Sequence, residues 1–476
     1  MTGIMALDRF FAHLERNVHG HLCDLWTGEA HEIEFGSLTD LADAWVRHLK
    51  KMDVRKGASL LVPMRVNRAS VGLLFGALQY GLLPVLVKPT MPADLMSDIV
   101  EKIGGGFVVA TAATKSVFLA RGYAVSGAAF EGSQVLSGPA KCEFQKIHLP
   151  GRIGILSSGS TGIPKIIIHP FSNLLRNALM HIDAIGLDSS DTVVLNLPLN
   201  YSYGLVAGLL GTLLAGAKGV LVDPQRVDMR HVLNVYDVTT CMGTPSSVLA
   251  NFPADSLAKL KRLTVGGDAM RANLALSLLS AMKCGEIFAT YGLTEAGPRV
   301  ATWRLEAQTI EHYQAVPLGV PLDNVRLSLS ENECDDTYRE LLVETPTVMH
   351  GYLDDEAGTI AVLDRPGGTL RTGDLFGSRD GMLFFAGRLK RVIVRGGENI
   401  YPAFVEGAVM RFPDIEDVWV TGEAHDALGQ VPIAYLISRR LIDVGALARE
   451  LRRYLPTSHI PTRWEQVREF PLNIRK

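Results

Sequence analysis

The chain has 476 residues with 47% apolar and 20% charged residues, an ordinary globular composition with length for two or more domains. Its formal net charge of -3, without blocks of like charge, argues against a nucleic-acid partner. The five cysteines lack CxxC or zinc-type spacing, which favours free thiols in a reducing, cytoplasmic compartment.

Short β-rich apolar runs alternate with helical patterns over the first part of the chain. Strands are predicted at 59–64, 82–88, 107–111, 192–198, 218–223 and 263–267, and helices at 69–81 and 271–282. This alternation predicts an α/β fold whose large N-terminal domain has mostly parallel sheets flanked by helices.

The apolar stretch 204–222 is nearly long enough to cross a bilayer. It carries five glycines and a lysine. It is therefore predicted to be a buried helix that runs into a buried strand, and no integral membrane span is expected.

The composition changes near residue 360, where Gly/Arg-rich turns begin. Strand patterns follow at 418–422 and 432–438, and a helical pattern follows at 444–455. These patterns predict a large domain at 1–388 and a small α+β domain at 389–476, joined by a hinge.

A Gly/Ser/Thr loop follows a predicted strand and ends at Lys165. Glycines let backbone N–H groups approach phosphate oxygens closely, and hydroxyls and a lysine add donors and positive charge. Pro164 precedes the lysine and Ile166 follows it, so the loop is not a Walker A motif. The candidate phosphate-binding residues are Ser157, Ser158, Gly159, Ser160, Thr161, Gly162 and Lys165.

This loop resembles the phosphate-binding motif of the adenylate-forming (AMP-binding) superfamily, closest to its acyl-CoA synthetases and other acid–thiol ligases. The resemblance covers nearly the whole chain, because further motifs follow in the family's order. They are the segments 266–269, 291–295, 371–374, 387–390, 395–402 and 455–461.

The resemblance implies that these motifs bind ATP and magnesium. Glu295 is a candidate Mg²⁺ ligand, because a carboxylate is a hard oxygen ligand for that ion. Thr294 would bond a phosphate or acyl oxygen, and Asp374 would accept both ribose hydroxyls. The other implied nucleotide- or thiol-binding residues are Gly267, Asp268, Tyr291, Gly292, Arg388, Gly396 and Gly397.

The family's two half-reactions imply a moving small domain. Lys390 occupies the hinge position, and the 396–402 segment would face the site for the thiol step. Lys476 is the candidate lysine for adenylation, although the motif before it is one residue shorter than usual and has Arg475 in place of glycine. The resemblance thus assigns catalytic roles to Lys165, Thr294, Glu295 and Lys476.

The segment 197–204 aligns with the family's PLFHxxG stretch, with Tyr201 at the common His or Phe position. Tyr201, Gly266 and Ala296 are the candidate acyl-pocket residues. The acidic residue typical of amino-acid selection has no secure counterpart, so a fatty or aryl acid is favoured. The histidines His169, His425 and His459 are more typical of surface or supporting positions than of catalysts.

The resemblance implies that ATP activates a carboxylic acid to an acyl-AMP, with pyrophosphate release and transfer of the acyl group to a thiol such as CoA. Two alternatives remain open from the sequence. The acceptor could be the phosphopantetheine of an acyl carrier protein, or the chain could be a non-catalytic nucleotide-binding homologue, which only the irregular Lys476 motif supports.

Overall fold

The structure is a computed structural model that describes residues 3–17, 20–111, 114–138, 148–157, 164–331, 338–396 and 398–470. The chain forms two compact units. The first consists of Met1–Arg326 and Val343–Leu370, and the second of Leu327–Leu342 and Arg371–Lys476. The predicted boundary between a large domain at 1–388 and a small domain at 389–476 is not tested by this division, and it stays a prediction.

Most of the longer helices carry one apolar face, and the helices alternate with strands, as the sequence pattern predicts. The helices are α1 (Gly3–Arg16), α2 (Phe35–Lys51), α3 (Arg68–Tyr80), α4 (Ala93–Lys102), α5 (Lys115–Ala120), α6 (Phe171–Ile185), α7 (Gly211–Ala215), α8 (Met229–Val235), α9 (Pro245–Asn251), α10 (Ala254–Leu257), α11 (Ala272–Ala281), α12 (Ala307–Tyr313), α13 (Glu356–Ile360), α14 (Pro402–Val409) and α15 (Val444–Leu451).

The strands are short and mostly buried on both faces in the first unit. They are β1 (His21–Asp24), β2 (His31–Glu34), β3 (Ser59–Pro63), β4 (Leu83–Val87), β5 (Phe107–Ala110), β6 (Ala124–Val125), β7 (Gln134–Ser137), β8 (Arg152–Leu156), β9 (Ile166–Pro170), β10 (Thr192–Leu195), β11 (Lys218–Leu221), β12 (Thr240–Gly243), β13 (Arg262–Gly266), β14 (Glu286–Gly292), β15 (Arg299–Arg304), β16 (Val320–Pro321), β17 (Arg326–Leu329), β18 (Arg339–Glu344), β19 (Gly351–Tyr352), β20 (Thr369–Arg379), β21 (Met382–Arg388), β22 (Ile393–Arg395), β23 (Glu398–Ile400), β24 (Ile415–His425), β25 (Gly429–Ser438) and β26 (Arg463–Gln466).

The first unit contains a nine-stranded sheet in the order β16-β15-β14-β13-β12-β10-β11-β1-β2. The strands from β11 through β10, β12 and β13 to β14 pair in parallel, whereas β15 pairs with β14 in the antiparallel direction. Parallel neighbours end at the same edge of a sheet. The ends of β13 and β14, at Gly266 and Gly292, therefore lie side by side.

The first unit also contains an eight-stranded sheet in the order β19-β9-β8-β4-β3-β5-β7-β6. Its β3, β4, β5 and β8 pair in parallel. Strands β8 and β9 form an antiparallel hairpin whose register runs from Arg152 opposite Pro170 to Leu156 opposite Ile166. Ser157 and Lys165, the first and last residues of the predicted phosphate loop, directly adjoin the paired ends of these two strands.

One apolar cluster joins both sheets through the helices α1, α2, α3 and α6. Trp45, Phe75 and Phe171 are fully buried in it. The ring of Phe10 packs edge-on against Phe75 and Phe171, with centroids 5.3 and 5.9 Å away. Separate apolar clusters cover the other faces of the two sheets. The predicted α/β architecture is confirmed.

The apolar stretch 204–222 is buried, as predicted. Tyr203–Leu210 forms wide π-helical turns that continue into α7, and the chain then enters β11. Among the described residues, no helix combines the length and the apolar character needed to cross a membrane.

The second unit has a four-stranded sheet in the order β17-β18-β20-β21. The first residue of β17 and the last two residues of β18 are assigned to the first unit. It also has a five-stranded sheet in which β23-β22-β25-β24 are consecutive and β26 pairs with β25. Helices α14 and α15 contribute Val405, Leu447 and Leu451 to its apolar core. The strands and helix predicted beyond residue 415 correspond to β24, β25 and α15.

The Gly76→Ala variant tests the close packing of α2 against α3. A Cβ atom at Gly76 would lie 2.5 Å from the Cβ of Trp45 and 2.8 Å from the carbonyl oxygen of Ala42. We expect the variant to lose about 1–3 kcal/mol of stability through overpacking, measured by urea unfolding. The control is Gly36→Ala in α2, where a Cβ meets nothing within 4 Å. Equal stability of the two variants would contradict this packing.

Candidate functional site

The predicted phosphate loop is closed at its base by two hydrogen bonds between its ends. The backbone N–H of Ser157 donates to the carbonyl of Lys165 at 2.8 Å, and the Lys165 N–H donates to the Ser157 hydroxyl at 3.2 Å. The candidate residues between them lie outside the described residues: Ser158, Gly159, Ser160, Thr161 and Gly162.

Lys165 is held by two partners from the 351–355 segment. Its Nζ lies 3.0 Å from an Oδ of Asp355 and 4.1 Å from the ring centroid of Tyr352. The hydrogen bond from Lys165 lowers the pKa of the Asp355 carboxyl. The Lys165 side chain remains 44% exposed, so its charge can reach a ligand from solvent.

Tyr352 connects Lys165 to the candidate metal ligand. Its hydroxyl donates to Oε1 of Glu295 at 2.9 Å. Burial and the neighbouring carboxylate raise the pKa of Tyr352, so its hydroxyl keeps its proton and acts as a donor. Glu295 accepts this bond through one carboxylate oxygen, and its backbone carbonyl accepts from Met349 N–H at 2.7 Å.

Thr294 is fixed on both its side chain and its backbone. Its hydroxyl lies 2.9 Å from the Ser202 hydroxyl. Its carbonyl accepts from Nε2 of His169 at 2.8 Å. Burial lowers the pKa of His169 to about 4, so the ring is neutral and carries its proton on Nε2. His169 thus has the supporting position expected from the sequence.

The remaining candidates of the first unit lie around the ends of β13 and β14. Gly266 is buried, Gly267 has a φ of +85° and Asp268 is exposed, with its carboxylate accepting from Ala269 N–H. Tyr291 and Gly292 end β14 and are partly exposed.

The three candidate pocket residues differ in exposure. The side chain of Tyr201 is 46% exposed, whereas Gly266 and Ala296 are buried. The Ala296 carbonyl accepts from the Thr347 hydroxyl at 2.7 Å. Gly266 and Ala296 therefore lie in the interior of the unit beside the end of β14.

In the second unit, Asp374 and Arg388 face each other across β20 and β21. The Nε of Arg388 lies 3.0 Å from an Oδ of Asp374, whose side chain is only 5% exposed. Asp374 is therefore a buried acceptor and does not belong to a surface ion pair. Its N–H donates to the Thr372 hydroxyl, and the Thr372 hydroxyl donates to Leu341 O at 2.8 Å.

The turn before Asp374 depends on Glu340, a buried residue that the sequence analysis does not identify. Glu340 accepts from Gly373 N–H at 2.8 Å and forms an ion pair with Arg371. A buried carboxylate with two partners holds the turn in one conformation. An acid at this position, in a strand pattern of apolar residues, is the only sequence signal for it.

The candidate hinge and thiol-binding residues lie near the start of the second unit's five-stranded sheet. Lys390 is exposed in a single 3₁₀ turn at Leu389–Arg391. Gly396 has a φ of +57° at the turn between β22 and β23. Gly397 and Lys476 lie outside the described residues.

Three further residues of the first unit are missed by the sequence analysis, because they belong to no recognised motif. Tyr352 and Asp355 lie in the run 350–355, and their roles depend on the chain returning to Lys165 and Glu295. Arg299 follows the YGLTE segment and is 2% exposed, although arginine is seldom buried. A charged residue in an apolar strand pattern is the signal that could have identified it.

Comparisons with known proteins identify the family and the fold. The sequence profile of the AMP-binding enzyme family matches residues 14–353. The chain is 30% identical over 347 residues to a 2-succinylbenzoate–CoA ligase from Bacillus licheniformis, which covers 70% of each chain.

Solved structures of two proteins share the fold. One is an o-succinylbenzoate CoA synthetase from Bacillus subtilis in complex with an acyl-adenylate, with a TM-score of 0.78, 22% identity and coverage of 97% of this chain and 96% of that one. The same synthetase has also been solved with ATP and a magnesium ion. The other is ATP-bound MatB from Rhodopseudomonas palustris, with a TM-score of 0.84, 17% identity and coverage of 99% and 96%.

The pH dependence of stability tests the buried histidine beside this site. Burial and the charge of Arg299 lower the pKa of His181 to about 3 from 6.5. The unfolded chain therefore binds a proton that the folded protein does not, and stability falls as the pH drops below about 6.5. This group alone should cost about 2 kcal/mol between about pH 7 and about pH 5.

The His181→Gln variant should lose correspondingly less stability over that pH range than the wild type, measured by urea unfolding at both pH values. His231→Gln is the control, because that histidine is exposed. A wild-type pH dependence retained in His181→Gln would contradict the assignment.

Proposed function

The chain belongs to the AMP-binding enzyme family, and on that basis we propose how its residues activate a carboxylic acid with ATP. The protein is an AMP-forming acid–thiol ligase: it forms an acyl-AMP, releases pyrophosphate and transfers the acyl group to CoA. The sequence-based assignment to this family is thereby confirmed.

The contact series from Asp355 through Lys165 and Tyr352 to Glu295 is the observation that carries the proposed residue roles. The partly exposed ammonium group of Lys165 lies at the base of the phosphate loop. The Tyr352 side chain lies between it and the Glu295 carboxylate and contacts both. A triphosphate needs positive charge on its oxygens, and its magnesium ion needs a carboxylate ligand. Both groups are present at one end of the eight-stranded sheet.

The residues fit a magnesium ion that arrives with ATP. Among the described residues, no group of three His, Cys, Asp or Glu side chains could hold a metal by itself. Mg²⁺ commonly binds one or two carboxylates plus substrate phosphates, so Glu295 alone suffices. When bound, the ion neutralises charge on the phosphates during their displacement. The Tyr352 hydroxyl orients the carboxylate by occupying one of its oxygens.

Phosphoryl displacement depends on positioning and charge more than on covalent help from the protein. We assign Lys165 to the phosphates, where a phosphate oxygen would compete with Asp355 for the ammonium group. The Thr294 hydroxyl, already paired with Ser202, would donate to a phosphate or acyl oxygen. In the second unit, the buried Asp374 would accept hydrogen bonds from the ribose hydroxyls, with Arg388 beside it.

The roles of the hinge and of the chain's last residue rest on the sequence alone. We propose that Lys390 absorbs the rotation between the half-reactions, that Lys476 serves adenylation, and that Gly396 and Gly397 approach the pantetheine arm. Exposure of Lys390 in a short 3₁₀ turn is compatible with a hinge, because such turns change φ and ψ at low cost.

The relatives favour CoA over a carrier protein as acceptor and an aryl acid over a fatty acid. The relative described above is a CoA ligase for 2-succinylbenzoate. We also propose a cytoplasmic location, which the free thiols of Cys23, Cys241 and Cys284 support.

The direct test is pyrophosphate release with ATP, Mg²⁺ and a panel of aryl, fatty and amino acids, with and without CoA. We expect release to depend on an aryl acid and CoA to speed turnover by accepting the acyl group. Mass spectrometry should detect the acyl-AMP when CoA is omitted. Absence of acid-dependent pyrophosphate and of acyl-AMP across the whole panel would contradict the function.

The variants Lys165→Ala and Glu295→Ala test the phosphate and metal assignments. Each should lower the rate of acyl-AMP formation by about 100-fold or more, because each removes a charge contact to the transition state. Lys283→Ala is the control, since Lys283 is exposed. Near-normal rates in both site variants, with a normal control, would reject these two roles.

A further inference from the structure

Arg299 is buried at the start of β15 without an acidic partner. The residue is 2% exposed, and among the described residues no aspartate or glutamate forms an ion pair with it. Its Nε has no hydrogen-bond partner. Burial lowers the pKa of Arg299, but a guanidinium remains protonated in proteins. A positive charge held inside the protein without an anion is unfavourable, and such charges are normally paired.

The neighbours of Arg299 orient the guanidinium but do not neutralise it. Its Nη1 donates to the Thr290 hydroxyl, and its central carbon lies 3.8 Å from the ring centroid of Tyr203. The hydroxyl of Tyr203 is bonded to Thr264 of β13, which fixes the ring. Asn177 holds the backbone of Arg299 through both of its amide atoms. A guanidinium has five N–H donors, and among the described residues the bond to Thr290 uses one of them.

The guanidinium lies beside the predicted acyl pocket. A Cβ atom at Gly266 would be 2.9 Å from Nη1 of Arg299, so only glycine lets the guanidinium approach the end of β13. Tyr203, which stacks on the guanidinium, directly follows Ser202, and Ser202 is bonded to Thr294. The unpaired charge therefore lies next to the residues that would surround the acyl chain.

His181 adds a second unpartnered polar group on this side. It is fully buried in α6, one turn after Asn177, and neither ring nitrogen has a hydrogen-bond partner. The charge of Arg299 acts on it, and the ring stays neutral. A neutral imidazole donates one hydrogen bond and accepts one, so it can contact an anion next to an arginine without adding charge.

We propose that the acid activated by this enzyme is a dicarboxylic acid, whose second carboxylate binds Arg299 while its first reacts with ATP. This inference rests on the proposed function, since it names the substrate class of the same site. An arginine fork matches a carboxylate with two parallel hydrogen bonds, which explains why the charge stays unpaired by the protein. Arg299 thus selects the substrate, whereas Lys165 and Glu295 serve the nucleotide.

The experiment compares matched acids in pairs, one with and one without a second carboxylate, on aryl and aliphatic scaffolds of increasing length. The enzymes are the full-length wild type, Arg299→Met, Arg299→Lys and the control Arg304→Met. Arg304 lies on the same strand, is 60% exposed and pairs with Glu286. The measurements are kcat/KM for pyrophosphate release, acyl-AMP mass, diacid binding by calorimetry without ATP, and Tm.

We expect the wild type to prefer a diacid over its monoacid partner by about 100-fold or more, because the monoacid leaves the arginine unpaired. Arg299→Met should lose diacid binding and reverse the preference, Arg299→Lys should retain part of it, and Arg304→Met should match the wild type.

Two outcomes would overturn the inference while leaving the function intact. One is equal wild-type activity with diacids and monoacids. The other is a uniform loss for both classes in Arg299→Met and Arg299→Lys together with a lower Tm, which indicates a purely structural arginine. Failure of every acid to give pyrophosphate or acyl-AMP would instead reject the proposed function. In that case calorimetry still tests the inference: equal diacid binding by the wild type and by Arg299→Met would contradict it.

Discussion

After β14 the chain turns back into β15, and the backbone carbonyls around this turn need donors from other parts of the first unit, namely β9, α6 and the segment before β19. The Thr294 carbonyl accepts from the His169 ring, and the Glu295 carbonyl accepts from the Met349 N–H. The Ala296 carbonyl accepts from the Thr347 hydroxyl, and the Arg299 carbonyl accepts from the Asn177 side-chain amide. Unpaired carbonyls in an interior are costly, so each donor has a structural purpose. The same bonds hold the backbone that carries the Thr294 and Glu295 side chains, so the candidate site depends on donors from β9, α6 and the segment before β19.

In the proposed assignment, the positive charge that binds the nucleotide is separate from the positive charge that binds the acid. Lys165 is nearly half exposed and has a carboxylate partner, so its charge is available but compensated. Arg299 is buried, and its neighbours are an aromatic ring and a threonine. Because the low interior dielectric strengthens a charge interaction, the buried arginine can discriminate between acids more strongly than an exposed lysine could.

The sequence predicts the parts of the fold and site that depend on local pattern. Apolar runs predict strands such as β3, β4, β10 and β13, and the motifs shared with the AMP-binding family make Glu295 and Asp374 site candidates. The residues that hold them escape such reasoning, because Tyr352 contacts Glu295 across 57 positions and Glu340 contacts the turn at Gly373 across 33. The antiparallel β8–β9 hairpin and the division of each unit into two chain segments are likewise products of tertiary pairing.

The discontinuity of the first unit has a consequence for how the protein is made. Strand β19, at residues 351–352, pairs with β9 at residues 166–170, so the eight-stranded sheet is completed only after synthesis has passed residue 352. Contacts between residues so distant in sequence form slowly, and a strand edge that has not yet been paired promotes aggregation. Until residue 352 has been synthesised, this edge of β9 therefore lacks its partner strand in the sheet.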